Sequence, residues 1–108
     1  MNQHLPIACN LSAFTETEKK RYDDLSKRMK ENVLLIEESD AGYKLHLIYN
    51  KTTWLETAEW ITLEHVCCPF FRFALQLGLQ DEMMILHITG PEGAKQILKQ
   101  EFLEEGCC

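Results

Sequence analysis

Apolar and polar positions recur along the chain with two different periods, and each switch of period marks an element. From Thr15 to Glu31, Tyr22, Leu25 and Met29 fall at helical spacing in an otherwise charged stretch, and Thr15 with Glu18 has the spacing of a capping box. That predicts a helix lying on the surface of the core. Val33 to Glu38 then reads as a strand, Ser39-Asp40-Ala41-Gly42 as a turn, and Tyr43 to Asn50 as a second strand. Tyr43, Leu45, Leu47 and Tyr49 share one face of it, and Lys44 and His46 take the other. A second capping box, Thr53 with Glu56, opens a helix to about Cys67, which Pro69 stops by pushing its predecessor out of the helical region. Phe71, Phe73, Leu75 and Leu77 alternate as a third strand, Gly78-Leu79-Gln80-Asp81 turns the chain, and Met83 to Thr89 forms a fourth. Gly90-Pro91 starts a last helix with proline in its first position, carrying Ala94, Ile97, Leu98 and Phe102 inward. The order α-β-β-α-β-β-α predicts an α+β fold, a four-stranded antiparallel sheet with helices mainly on one face.

At 108 residues the chain has the size of a single domain, 1–108, with an extended segment over about 1–14 and a flexible cysteine-bearing tail over about 104–108. Eleven Lys and Arg against 17 Asp and Glu give a net charge of −6, which disfavours nucleic acid and anionic membrane surfaces as partners. Met1 to Asn10 has neither the cationic stretch nor the apolar run of a signal peptide, and no apolar run approaches the roughly 20 residues of a membrane span. The expectation is a cytoplasmic protein with reduced thiols. That changes the meaning of the five cysteines, Cys9, Cys67, Cys68, Cys107 and Cys108.

The segment Glu64-His65-Val66-Cys67-Cys68-Pro69 carries the densest chemistry. A helical wheel places Trp54, Leu55, Ala58, Ile61, His65 and Val66 on a broad apolar arc, expected to face the sheet with His65 as a core histidine. Trp60, Leu63 and Cys67 form a second stripe bordered by Glu64, which calls for another partner: a helix, a ligand, or a second copy in a homodimer. Adjacent Cα atoms are about 3.8 Å apart, closer than a relaxed disulfide allows, so a Cys67–Cys68 bridge is disfavoured. The helix C-terminus is the negative end of the macrodipole, and Glu64 adds to it; both oppose a bare thiolate nucleophile or a thiol-redox enzyme. The same field attracts a soft cation, and thiolates select copper(I) and zinc, an argument that extends to mercury(II). Cys67 and Cys68, joined by Cys9, are the expected ligands, with Glu64 and His65 behind them. Free cysteine also buries readily as a small apolar residue, so cysteines that only pack remain the alternative.

Cys67-Cys68-Pro69-Phe70-Phe71-Arg72-Phe73, together with Cys9-Asn10-Leu11-Ser12 and Thr89-Gly90-Pro91, resembles a family of small, functionally unassigned bacterial proteins marked by a Glu-Cys-Cys-Pro-Phe signature. The likeness runs from about Ala8 to Leu103. Val66 stands where the family has an acidic residue, and Glu64 is the nearest replacement. The resemblance implies company with heavy-metal regulators and groups Cys9, Cys67 and Cys68 as one constellation, without naming the ligand.

Gly106-Cys107-Cys108 resembles the mobile terminal cysteine pair with which mercuric reductases capture metal; a frayed, inert tail is the alternative. His46 and His87 fall opposite the main apolar residues of their strands, near Lys44 and Arg72, on an open sheet face or a subunit contact; His4 lies in the irregular start. No Cys-x-x-Cys, zinc-finger spacing, phosphate-binding loop or nucleophile elbow occurs. The expectation is therefore a binding or handover protein for a soft cation, working with a metal-handling partner. A homodimeric, non-catalytic interaction domain is the alternative.

Overall fold

The computed structural model describes residues 11–78 and 83–100. Cys9, Cys107, Cys108, His4 and Phe102 lie outside them, as do most of the expected N-terminal segment and all of the tail. After a short 3-10 turn, Leu11–Ala13, the order is α1 (Glu16–Asn32), β1 (Val33–Ser39), β2 (Gly42–Ile48), α2 (Lys51–Cys67), β3 (Arg72–Leu77), β4 (Met83–Thr89) and α3 (Ala94–Leu98). This is the α+β fold, and the four strands form one antiparallel sheet in the order β1-β2-β4-β3.

Local chemistry explains the boundaries. Thr15 caps α1 through the reciprocal box: its Oγ1 accepts from Glu18 N, and Glu18 Oε1 accepts from Thr15 N. At α2 the expected Thr53–Glu56 box is replaced by Asn50, whose Oδ1 accepts from Thr53 N at 2.8 Å. Asn50 leads the capping ranking and meets α2 three residues earlier, so Thr53 enters the helix and is buried. Pro91 opens a turn instead of the last helix, its carbonyl accepting from Ala94 N at 3.0 Å. Gly93, at φ 94°, takes the left-handed conformation that sets α3 going.

Register puts one row of side chains after another on the inner face: Tyr43–Ile88–Phe73, Leu45–Leu86–Leu75 and Leu47–Met84–Leu77, with Ile36 beside Leu45. Tyr43, Leu45, Leu47, Met84, Leu86 and Ile88 are all buried. Gly42 permits the close meeting of β2 with β4, since a Cβ there would stand 1.8 Å from the Ile88 carbonyl oxygen. Helices cover the inner face. The outer face carries Lys44, His46, Ile48, Met83, Ile85 and His87 and has no layer upon it among the described residues.

α1 contributes Tyr22, Leu25 and Met29 to the core, the stripe the sequence predicts. α2 is rolled relative to its prediction: Trp54 and Ile61 of the expected arc pack against the core, and the rest of that arc does not. Its buried residues are Thr53, Thr57, Trp60, Glu64 and Cys67, whereas Leu55 and Val66 are 55% and 51% exposed and His65 is exposed. The physical reason is the partner: α2 packs beside α1, and small threonines let the two helices approach while Trp60 fills the space toward the sheet. Trp60 donates from Nε1 to Ser26 Oγ at 2.9 Å and meets the Phe73 ring edge-on at 6.1 Å. Arg21 on α1 clasps Glu59 on α2 through two hydrogen bonds of 2.9 and 2.7 Å. No described helix is long and apolar enough to cross a membrane.

Candidate functional site

α2 ends as Pro69 requires. Cys68 leaves the helix at φ −129°, ψ 74° while its N–H still donates to Glu64 O at 2.6 Å. The adjacent cysteines therefore sit on different backbone geometries, one the last helical residue and one the cap. Their side chains turn toward each other, with the two Sγ atoms 3.5 Å apart. This is a non-bonded contact, and Cys67 keeps its thiol. Cys68 is disulfide-bonded. Both side chains are fully buried, and Phe70 and Phe71, their rings 4.5 Å apart, follow directly in the same core cluster.

One turn before Cys67, on the same helix face, Glu64 is buried without exposure. Its Oε1 accepts from the Tyr22 hydroxyl of α1 at 2.5 Å. A carboxyl in a core is costly unless it is hydrogen-bonded, and here the neighbouring helix supplies the donor. Tyr22 was expected only as an apolar core residue. The signal that it does more is that a tyrosine on a buried stripe needs a partner for its hydroxyl.

The expected residues thus divide. Glu64, Cys67 and Cys68 come together where α2 runs out. His65 points away, exposed, and is neither a core histidine nor a neighbour of the thiols. Trp60 is sealed within its own chain, so the partner of the Trp60–Cys67 stripe is α1 and the sheet, not a second copy; Leu63 is only half-buried. Cys9, Cys107 and Cys108 lie outside the described residues, and no group of three metal-ligating side chains occurs among those described.

A second polar group occupies the outer sheet face. His46 Nε2 meets Glu37 Oε1 at 2.5 Å and His87 Nε2 meets Ser39 Oγ at 3.1 Å. This is the open face predicted for both histidines. Each ring meets one side chain there.

Comparison of the chain with protein-family models, with curated proteins and with solved structures finds no match.

Proposed function

We propose that this protein binds a soft cation, of the copper(I), zinc(II) or mercury(II) class, through Cys67 and Cys68, and passes it on rather than using it in catalysis. The observation that carries the reading is the 3.5 Å approach of the two sulfurs at the negative end of α2. Two thiolates bound at about 2.3 Å to one tetrahedral ion stand about 3.8 Å apart, so the pair chelates with little rearrangement. Cys9 is the residue proposed as a third ligand. Glu64 is the neighbouring acidic group, and Cys107 with Cys108 would serve as the outer capture pair. A reducing compartment such as the cytoplasm suits such a site.

Titration of the reduced protein with copper(I), zinc(II) and mercury(II), each against a competing thiol, tests it. The expected result is one tightly held ion, lost in the Cys67→Ser/Cys68→Ser double variant. Binding that survives the double variant overturns the assignment.

A second reading, a homodimeric interaction domain, draws on the outer sheet face. Leu35 and Ile48 are 55% and 40% exposed there, and Leu34 is 58% exposed at the irregular start of β1. Two copies associating through this face would show twice the chain mass by sedimentation equilibrium, reduced to the monomer by Leu35→Lys with Ile48→Lys. A monomeric wild-type mass removes this reading.

A further inference from the structure

We infer that two copies of this chain join edge to edge through β3, antiparallel about a two-fold axis, merging their four-stranded sheets into one continuous sheet. The contact uses a different surface from the outer sheet face and is independent of the soft-cation reading. β3 is the last strand in the order β1-β2-β4-β3, so one of its edges has no strand beside it among the described residues. Gly78 N–H donates to Met83 O at 2.9 Å, and pairing alternates along an antiparallel ladder. The backbone groups of Arg72, Ala74 and Gln76 therefore turn toward β4, and those of Phe73, Leu75 and Leu77 turn outward to the edge. Such a row of donors and acceptors is a template for another strand.

Register and occupant follow from the same residues. A second β3 placed antiparallel with Leu75 opposite Leu75 sets Phe73 of each copy opposite Leu77 of the other. All the outward-facing residues then fall in bonded pairs, each pair exchanging both of its N–H···O bonds. A register with Ala74 opposite Ala74 instead sets Leu77 against Phe71, whose N–H already goes to Cys68 O at 3.3 Å. The side chains agree. Leu77 is 54% exposed although it lies on the inner face, and Phe73 and Leu75 are only half-buried; the pairing covers each with its counterpart across the axis and continues the core. Charge selects this edge over the other. Arg72 is the one charged residue of β3, and in this register the two copies of it lie at opposite ends of the junction. β1 carries Glu37, Glu38 and a shift of register between Val33 and Leu35, the features that blunt an edge. The two β1 strands end the joined sheet, so the assembly closes at two copies.

The experiment follows the mass of the full chain, kept reduced by a thiol, by sedimentation equilibrium over a range of concentrations at low salt. Ala74 and Gln76 oppose each other across the proposed junction and are exposed in the single chain, so charges there spare the core. The wild type should reach twice the chain mass. Ala74→Lys/Gln76→Lys sets two like-charged pairs across the axis and should weaken association about 2- to 30-fold, the range two such pairs give in a sheet. Ala74→Lys/Gln76→Glu sets two oppositely charged pairs and should restore it. Leu35→Lys/Ile48→Lys should stay dimeric, where the outer-face reading expects a monomer. Amide exchange should slow at Phe73, Leu75 and Leu77 as concentration rises. A wild type that is monomeric at every concentration overturns this inference and the outer-face reading together. Dissociation by Leu35→Lys/Ile48→Lys but not by Ala74→Lys/Gln76→Lys overturns the edge contact and leaves the outer-face reading standing. Failure of Ala74→Lys/Gln76→Glu to restore the dimer overturns the register, and the inference with it.

Discussion

At the scale of single residues, the pairing of Tyr22 with Glu64 decides how a carboxyl survives in this core. Glu64 lies on the buried face of α2 with Trp60 and Cys67, and the hydroxyl of Tyr22 reaches it from α1. Hydrogen bonds to acidic groups are stronger than those between neutral groups, and the loss of a buried donor leaves its acceptor to bear desolvation. Tyr22→Phe deletes only that hydroxyl and keeps the ring, which packs against Phe14 at 5.3 Å. The expected cost is about 1–3 kcal/mol of folding free energy, read from urea unfolding at neutral pH. If Tyr22→Phe unfolds at the same urea concentration as the parent, the hydroxyl is not what accommodates Glu64. The same substitution leaves Cys67 and Cys68 in place, so its effect on stability is separable from loss of the thiols.

At the scale of elements, β2 and β3 were legible because alternation over six or seven residues is a direct imprint of a half-buried sheet, and β1 and β4 because turn residues bound their apolar runs. Tyr43, Leu45 and Leu47 of β2 and Met84, Leu86 and Ile88 of β4 are buried on the inner face, although Ile48, Met83 and Ile85 stand on the outer one. α1 was equally plain, since its one apolar stripe stands against a charged background. α2 was not. Apolar residues occur all round it, so hydrophobicity alone does not choose a face: of the arc from Trp54 to Val66, Trp54 and Ile61 pack against the core while Leu55, His65 and Val66 are exposed. The choice is made by α1, whose Tyr22 and Ser26 supply hydrogen-bond partners to Glu64 and Trp60. Such long-range complementarity has no signature within the helix itself. The site followed the same division: the adjacent cysteines and the helix stop at Pro69 were readable, because proline's effect is local. The burial of Glu64 was not, nor was the exposure of His65, because both depend on which way α2 rolls. The sequence also could not order the strands, which places β4 between β2 and β3.

At the scale of the whole molecule, two exposed ion pairs fasten helices to what they rest on, and they give folding a dependence on acid. Arg21 joins α1 to Glu59 of α2, while Lys95 of α3 reaches Glu38 and the Ser39 carbonyl at the β1–β2 turn. The Arg21 hydrogen bond holds the Glu59 carboxyl below its ordinary value of 4.5, and Lys95 does the same for Glu38. Each folded-state pKa is depressed, so the native state binds fewer protons than the unfolded chain in this range. The stabilisation is therefore complete above pH 4.5 and is lost as pH falls through the lower folded values. Both partners of the Arg21–Glu59 pair are more than two-fifths exposed, at 41% and 43%, so water and salt screen the effect. Urea midpoints should stay nearly level between neutrality and about pH 5, then decline in more acid solution. Arg21→Met should flatten part of that decline while changing the neutral midpoint little, and about 1 M salt should shrink the difference between variant and parent. Identical acid slopes for variant and parent at low salt would show that the clasp between α1 and α2 has no part in the acid response. The comparison is cleanest on reduced protein, where the Cys68 bridge no longer restrains the unfolded chain.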